Sequence, residues 1–137
     1  MNTTFRLAVT LFLALLVAAC GSRAERSPRE QALYEYQSAI RWSEYDVAMT
    51  YLDPLQLASD PVDPLELERL KQYQVAGYTV RSASHPADGS YEQVVEISLV
   101  NRHTQVERVI TDRQRWRWDQ IAQRWWLMSG LPVVPAN

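Results

Sequence analysis

The chain has 137 residues, 47% hydrophobic and 22% charged, with 14 Lys+Arg against 16 Asp+Glu. One compact domain is the expectation at this length, and the composition excludes a disordered, collagen-like or low-complexity chain. A formal charge of −2 gives no footing for nucleic-acid binding, and a single cysteine excludes both an intrachain disulfide and a multi-cysteine metal site.

Residues 1–19 read as a signal peptide. Arg6 and the amino terminus make a weakly basic start, and Leu7 to Ala19 follow without a charge. As a helix that stretch spans about 20 Å, too short for a hydrocarbon core of about 30 Å, but it fits the apolar region of a secretory signal. Val17-Ala18-Ala19-Cys20 resembles the lipobox of bacterial lipoproteins. The resemblance implies diacylglyceryl transfer to the Cys20 sulfur, cleavage before Cys20, and acylation of the new amino terminus with a fatty acid such as palmitate. A thioether there also removes a lone reactive thiol from an exported protein. Each buried methylene contributes about 0.8 kcal/mol, so two or three chains anchor the protein to the membrane almost permanently. By resemblance to sorted lipoproteins, Gly21 in place of Asp favours passage to the outer membrane over retention at the inner one, with the domain facing the periplasm. Residues 20–27 form the lipidated Cys and a short polar tether, and 28–137 a single domain.

Ser27-Pro28-Arg29-Glu30 combines a capping serine, a proline suited to the first helical position and a capping-box glutamate. A helix over 28–42 is predicted, with Leu33, Tyr36, Ala39 and Ile40 on one face. Trp42 to Asp46 reads as a break, followed by a second short helix over 44–52. Three Asp-Pro pairs between Asp53 and Pro64 read as turns, and Asp63-Pro64-Leu65-Glu66 starts a helix over 64–73. From Val75 the hydrophobic period becomes two. Strands are predicted over 75–81, 91–101, 105–118 and 124–129. The length of the third implies a bulge, placed at Asp112 to Gln114.

Helices followed by an antiparallel meander make an α+β chain. The broken helical pair around Ala39–Ala48, the short helix feeding into Val75–Arg81, and the hairpin Arg115-Trp116-Arg117-Trp118-Asp119 … Arg124-Trp125-Trp126-Leu127 together resemble the NTF2-like (cystatin-related cone) superfamily, in particular its bacterial lipoprotein members. That resemblance implies N-terminal helices packed on a strongly curved antiparallel β-meander, closed into a cone around a pocket.

Enzymes of that family work with acids or histidines inside the cone. Here both histidines, His85 and His103, fall in predicted turns. Asp112 shares a strand face with Ile110 and Trp116. It is a candidate general base for an isomerase, dehydratase or cyclase, or the acid of a half-buried Arg–Asp pair. Gln114, Trp116, Trp118 and Trp126 are the other candidate pocket-lining residues. Arg113, Arg115 and Arg117 share the opposite face. With Arg124 they are a candidate contact surface for an anionic partner, or a solvated face with cross-strand ion pairs. Metal, phosphate-loop and nucleophile signatures are missing, so no cofactor is expected. The favoured reading is a non-enzymatic binding module, anchored through Cys20, that takes an envelope protein or a small apolar ligand and no nucleic acid.

Overall fold

A computed structural model describes residues 26–136. The segments expected to be a signal peptide and most of a tether, with Cys20 between them, lie outside the described residues. Four helices precede four strands: α1 (Pro28–Arg41), α2 (Tyr45–Met49), α3 (Pro54–Ser59), α4 (Pro64–Lys71), β1 (Tyr73–Ser84), β2 (Tyr91–Asn101), β3 (Glu107–Asp119) and β4 (Arg124–Leu127). The α+β class expected from the sequence is the one observed.

Local chemistry starts each helix. Ser27 and Glu30 close the capping box of α1, which buries Ala32, Tyr36, Ala39 and Ile40 along one side. Ser43 takes a positive φ of 59° just after it, and the chain reverses into α2, which buries Tyr45 and Ala48. Asp53 and Asp63 each accept a hydrogen bond from the backbone two residues on, at 2.9 and 2.8 Å, with proline at the first helical position. The same Asp-Pro chemistry that serves turns therefore starts helices. The segment after Asp53 is the short helix α3, where turns alone were expected. The last helix stops at Lys71, earlier than predicted, and Tyr73 already belongs to β1.

The strands form one antiparallel meander in the order β1-β2-β3-β4. β2 alternates strictly between buried and half-buried positions. The predicted bulge at Asp112 to Gln114 is absent: Val95 pairs with Asp112 and Gln93 with Gln114 in unbroken register. The irregularities lie in β1, between Val75 and Gly77 and between Val80 and Ser82. The unbroken register of β3 keeps Gln114 opposite its hydrogen-bond partner Gln93 and holds Asp112, Gln114 and Trp116 on one face. At Gly77 a Cβ would lie 3.3 Å from the Ser98 hydroxyl, so a larger residue would crowd the neighbouring strand.

The core lies between α1 and one face of the sheet. Tyr36, Ile40, Val95, Leu99, Trp116 and Leu127 are wholly buried there. Tyr36 meets Trp116 edge to face, with centroids 5.3 Å apart at 83°, and Tyr51 completes a three-ring cluster. α1 touches both outer strands, β1 and β4.

The outer edge of β4 is covered. Leu127 donates to the Tyr51 carbonyl at 2.7 Å, and Asp53 donates to the Leu127 carbonyl at 2.8 Å. Asp53, only 2% exposed, also accepts from the Arg117 guanidinium, which ties the start of α3 to β3. Those hydrogen bonds hold the Asp53 carboxyl below its usual range, so the stabilisation they supply is present at neutral pH and lost as the pH falls through that range. Removing Arg117 would leave a buried carboxylate without its partner. Denaturant titration of Arg117→Ala should show a loss of about 2–4 kcal/mol, while Arg113→Ala on the same face should stay within about 0.5 kcal/mol of the parent. Equal effects from the two would count against this role for the pair.

Candidate functional site

β3 carries two chemistries on its two faces. Ile110, Asp112, Gln114 and Trp116 point into the core, and Arg113 and Arg115 point away from it.

The inward polar residues form a network centred on Gln114, which is 2% exposed. Its carbonyl oxygen accepts from the Gln93 amide at 2.7 Å and from the Trp116 indole at 3.3 Å. Its amide nitrogen donates to Asp112 Oδ2 at 2.6 Å and to the Tyr78 hydroxyl at 2.8 Å. All four hydrogen-bonding positions of the carboxamide are therefore used. Tyr91 adds a longer contact to Gln93 at 3.4 Å.

Asp112 is 9% exposed, and Gln114 is its hydrogen-bond partner. The Arg–Asp pair anticipated for it does not form, because the arginines of β3 occupy the other face and Arg108 donates to the Pro135 carbonyl at 2.7 Å. Burial pushes the Asp112 carboxyl up to about 6, against the opposing effect of the Gln114 hydrogen bond. Burial, and then the Asp112 charge, raise the Tyr36 phenol well above its usual value, and the Tyr36 hydroxyl has no hydrogen-bond partner. This arrangement can hold a proton near neutral pH on a carboxyl beside two phenols. One surface cleft, across β1, β2 and β3, is lined by Gln93 and Gln114 but not by Asp112, and the other four described clefts lie away from the network.

The tryptophans divide. Trp116 lies at the bottom of the core. Trp118 is half-buried near the end of the hairpin, 5.9 Å from Trp125 between centroids, with its indole donating to Gln120. Trp126 does not join the pocket-lining set. It pairs in register with Arg117 and so lies on the other face, its indole donating to Asp119 at 3.1 Å.

Two of the four candidate arginines are neutralised by ion pairs. Arg115 pairs with Asp88 at 2.6 Å and Glu92 at 3.6 Å, and Arg117 pairs with Asp53 and, at 3.6 Å, with Asp119. Arg124 lies over the Trp126 ring at 4.0 Å and donates to the Thr50 carbonyl at 3.0 Å. Arg113 and Arg124 have no ion pair among the described residues. A free four-arginine contact surface is therefore not present.

Sequence reasoning missed Tyr78 and Gln93 as members of the network, although a glutamine among the apolar residues of β2 was the available signal. It also missed a cleft of about 380 Å³ between α3, α4 and the segment 129–133. Leu52, Leu70 and Leu127 form its floor, and Asp60, Asp63 and Glu66 stand in its walls. Among the described residues, no group of three or more His, Cys, Asp or Glu is placed to hold a metal ion.

Compared with known proteins, the chain matches no family model, no curated protein and no solved structure.

The raised Asp112 carboxyl has a thermodynamic consequence. Ionising it opposes folding, so its contribution is most favourable below the ordinary carboxylate range and is lost as the pH rises through about 6. Asp112→Asn keeps an acceptor for Gln114 and carries no charge. Thermal unfolding from pH 4 to 8 should show this variant gaining on the parent as pH rises, by roughly 2–3 kcal/mol at pH 8. Parallel curves would show that Asp112 is solvated.

Proposed function

We propose that the chain is an envelope lipoprotein, anchored in the outer membrane through acyl chains on Cys20, whose NTF2-like domain acts by binding rather than by catalysis. The lipobox residues Val17 to Cys20 support the anchor, and Gly21 supports the outer membrane. The contact of α1 with both outer strands is what a sheet curled around its first helix requires, and it supports the cone.

The observation that carries the binding reading is the filled inner face of the sheet. Trp116 and Tyr36 occupy the space that a substrate would need, and Gln114 spends its hydrogen bonds on neighbouring side chains. Ligands then meet the domain at its surface, where the cleft beside α3 and α4 is the best-formed concavity.

One observation favours a second reading. A carboxyl raised to about 6 beside Tyr78 and Tyr36 has the character of a general base, as in an isomerase, dehydratase or cyclase of the same fold. That chemistry requires the Tyr36–Trp116 contact to open and admit a substrate.

Intact-mass analysis of the protein purified from bacterial membranes tests the anchor. The expected mass is that of a chain beginning at Cys20 and carrying two or three acyl chains, with Cys20→Ser abolishing the modification. A bare Cys20 or a retained leader would overturn the reading.

A further inference from the structure

The cleft between α3, α4 and the segment 129–133 combines three features. The first is an apolar interior. Beneath the opening lie Leu52, Leu70 and Leu127, while Leu57, Leu67 and Leu131 are only partly covered. Leu55 and Leu65, on the same two helices, are 74% exposed.

The second is uncompensated charge. Asp60, Asp63 and Glu66 line the cleft with no Lys, Arg or His among its lining residues, and none of the three acids takes part in an ion pair among the described residues. Acids beside an apolar floor favour a ligand that presents cations next to apolar groups.

The third is the backbone of the wall. Arg69 donates to the Val134 carbonyl at 3.2 Å, and Val134 is wholly buried, so the end of this segment is pinned. Ahead of that anchor, the N–H groups of Gly130, Leu131 and Val133 donate to no backbone carbonyl among the described residues. A pinned segment with unpaired backbone groups beside a groove offers an extended peptide main-chain hydrogen bonds.

We propose that this cleft is a docking groove for a short extended peptide in which apolar side chains alternate with Lys or Arg. The alternation follows from strand geometry: one set of side chains enters the apolar floor while the other turns to Asp60, Asp63 and Glu66. The proposal rests on the reading of the domain as a binding module and names the chemistry of its partner.

The test uses the full chain in phosphatidylcholine nanodiscs and two fluorescein-labelled peptides, Lys-Leu-Lys-Val-Lys-Leu-Lys and its Glu counterpart, with empty nanodiscs as the baseline. Fluorescence anisotropy should show binding of the Lys peptide above that baseline, weakened by salt, and none of the Glu peptide. Asp63 caps α4 and is left in place. Asp60→Asn with Glu66→Gln should weaken binding by about tenfold, and Asp60→Lys with Glu66→Lys should transfer the preference to the Glu peptide.

Equal binding of both peptides, binding no greater than to empty nanodiscs, or indifference to the substitutions would overturn the proposal. So would a concentration-dependent dimer that the cleft variants abolish, since the occupant would then be a second copy of the chain. Failure of the peptide to bind a protein that carries acyl chains on Cys20 would remove the groove and leave the anchored module standing.

Discussion

The structure depends on the way α1 seals the inner face of the sheet. Tyr36 stands against Trp116, and both are removed from water. Burying two large aromatic side chains supplies several kcal/mol, and the edge-to-face contact adds about 0.5–1.5 kcal/mol. The Trp116 indole then needs an acceptor, because an unpaired buried N–H would cancel much of that gain. Gln114 supplies one, and its remaining capacity is absorbed by Gln93, Tyr78 and Asp112. The polar network thus follows from placing a tryptophan at the centre of the core.

Asp112 is the costly member. Among the described residues it has no ion pair, and burial raises its pKa. The same low-dielectric surroundings that penalise its charge strengthen the hydrogen bond from Gln114. The outer face of β3 solves the opposite problem. Its arginines gain partners from three different loops and helix starts: Asp53 before α3, Asp88 in the turn after β1, and Asp119 at the hairpin. These pairs act as fasteners between elements, which leaves little of their charge for an outside partner. The unpaired charge on the domain includes the acids beside α3 and α4. The sheet edges are managed in two ways: the Tyr51–Asp53 segment covers β4, and two irregularities interrupt β1.

Much of the fold was legible in the sequence because its signals are local. Ser27, Pro28 and Glu30 announced α1, and the spacing of Tyr36, Ala39 and Ile40 gave its buried side. The change to period two at Val75 marked the start of the sheet. What could not be read depended on distant partners. The irregularities fall in β1, while β3 keeps its register where Gln114 meets Gln93, a contact 21 residues apart in sequence. Trp125 and Trp126 look alike in sequence, and only the pairing of Trp126 with Arg117 separates their faces. Arg117 and Asp53 are 64 residues apart, so the neutralisation of the arginine surface had no local signal. The cleft was hidden for a related reason. Asp60 read as a turn residue and Asp63 and Glu66 as a helix start, and only the packing of α3 and α4 against the segment 129–133 brings the three together.

The sealed inner face can be measured directly by hydrogen exchange of the indole N–H groups, followed by nuclear magnetic resonance. Trp42, 76% exposed, serves as the internal reference for free exchange. The account predicts that the Trp116 indole exchanges only when the domain unfolds, at a rate that tracks global stability. Exchange of the Trp116 indole at a rate close to that of Trp42 would mean that water reaches the inner face in the native state, and the sealed interior would have to be abandoned.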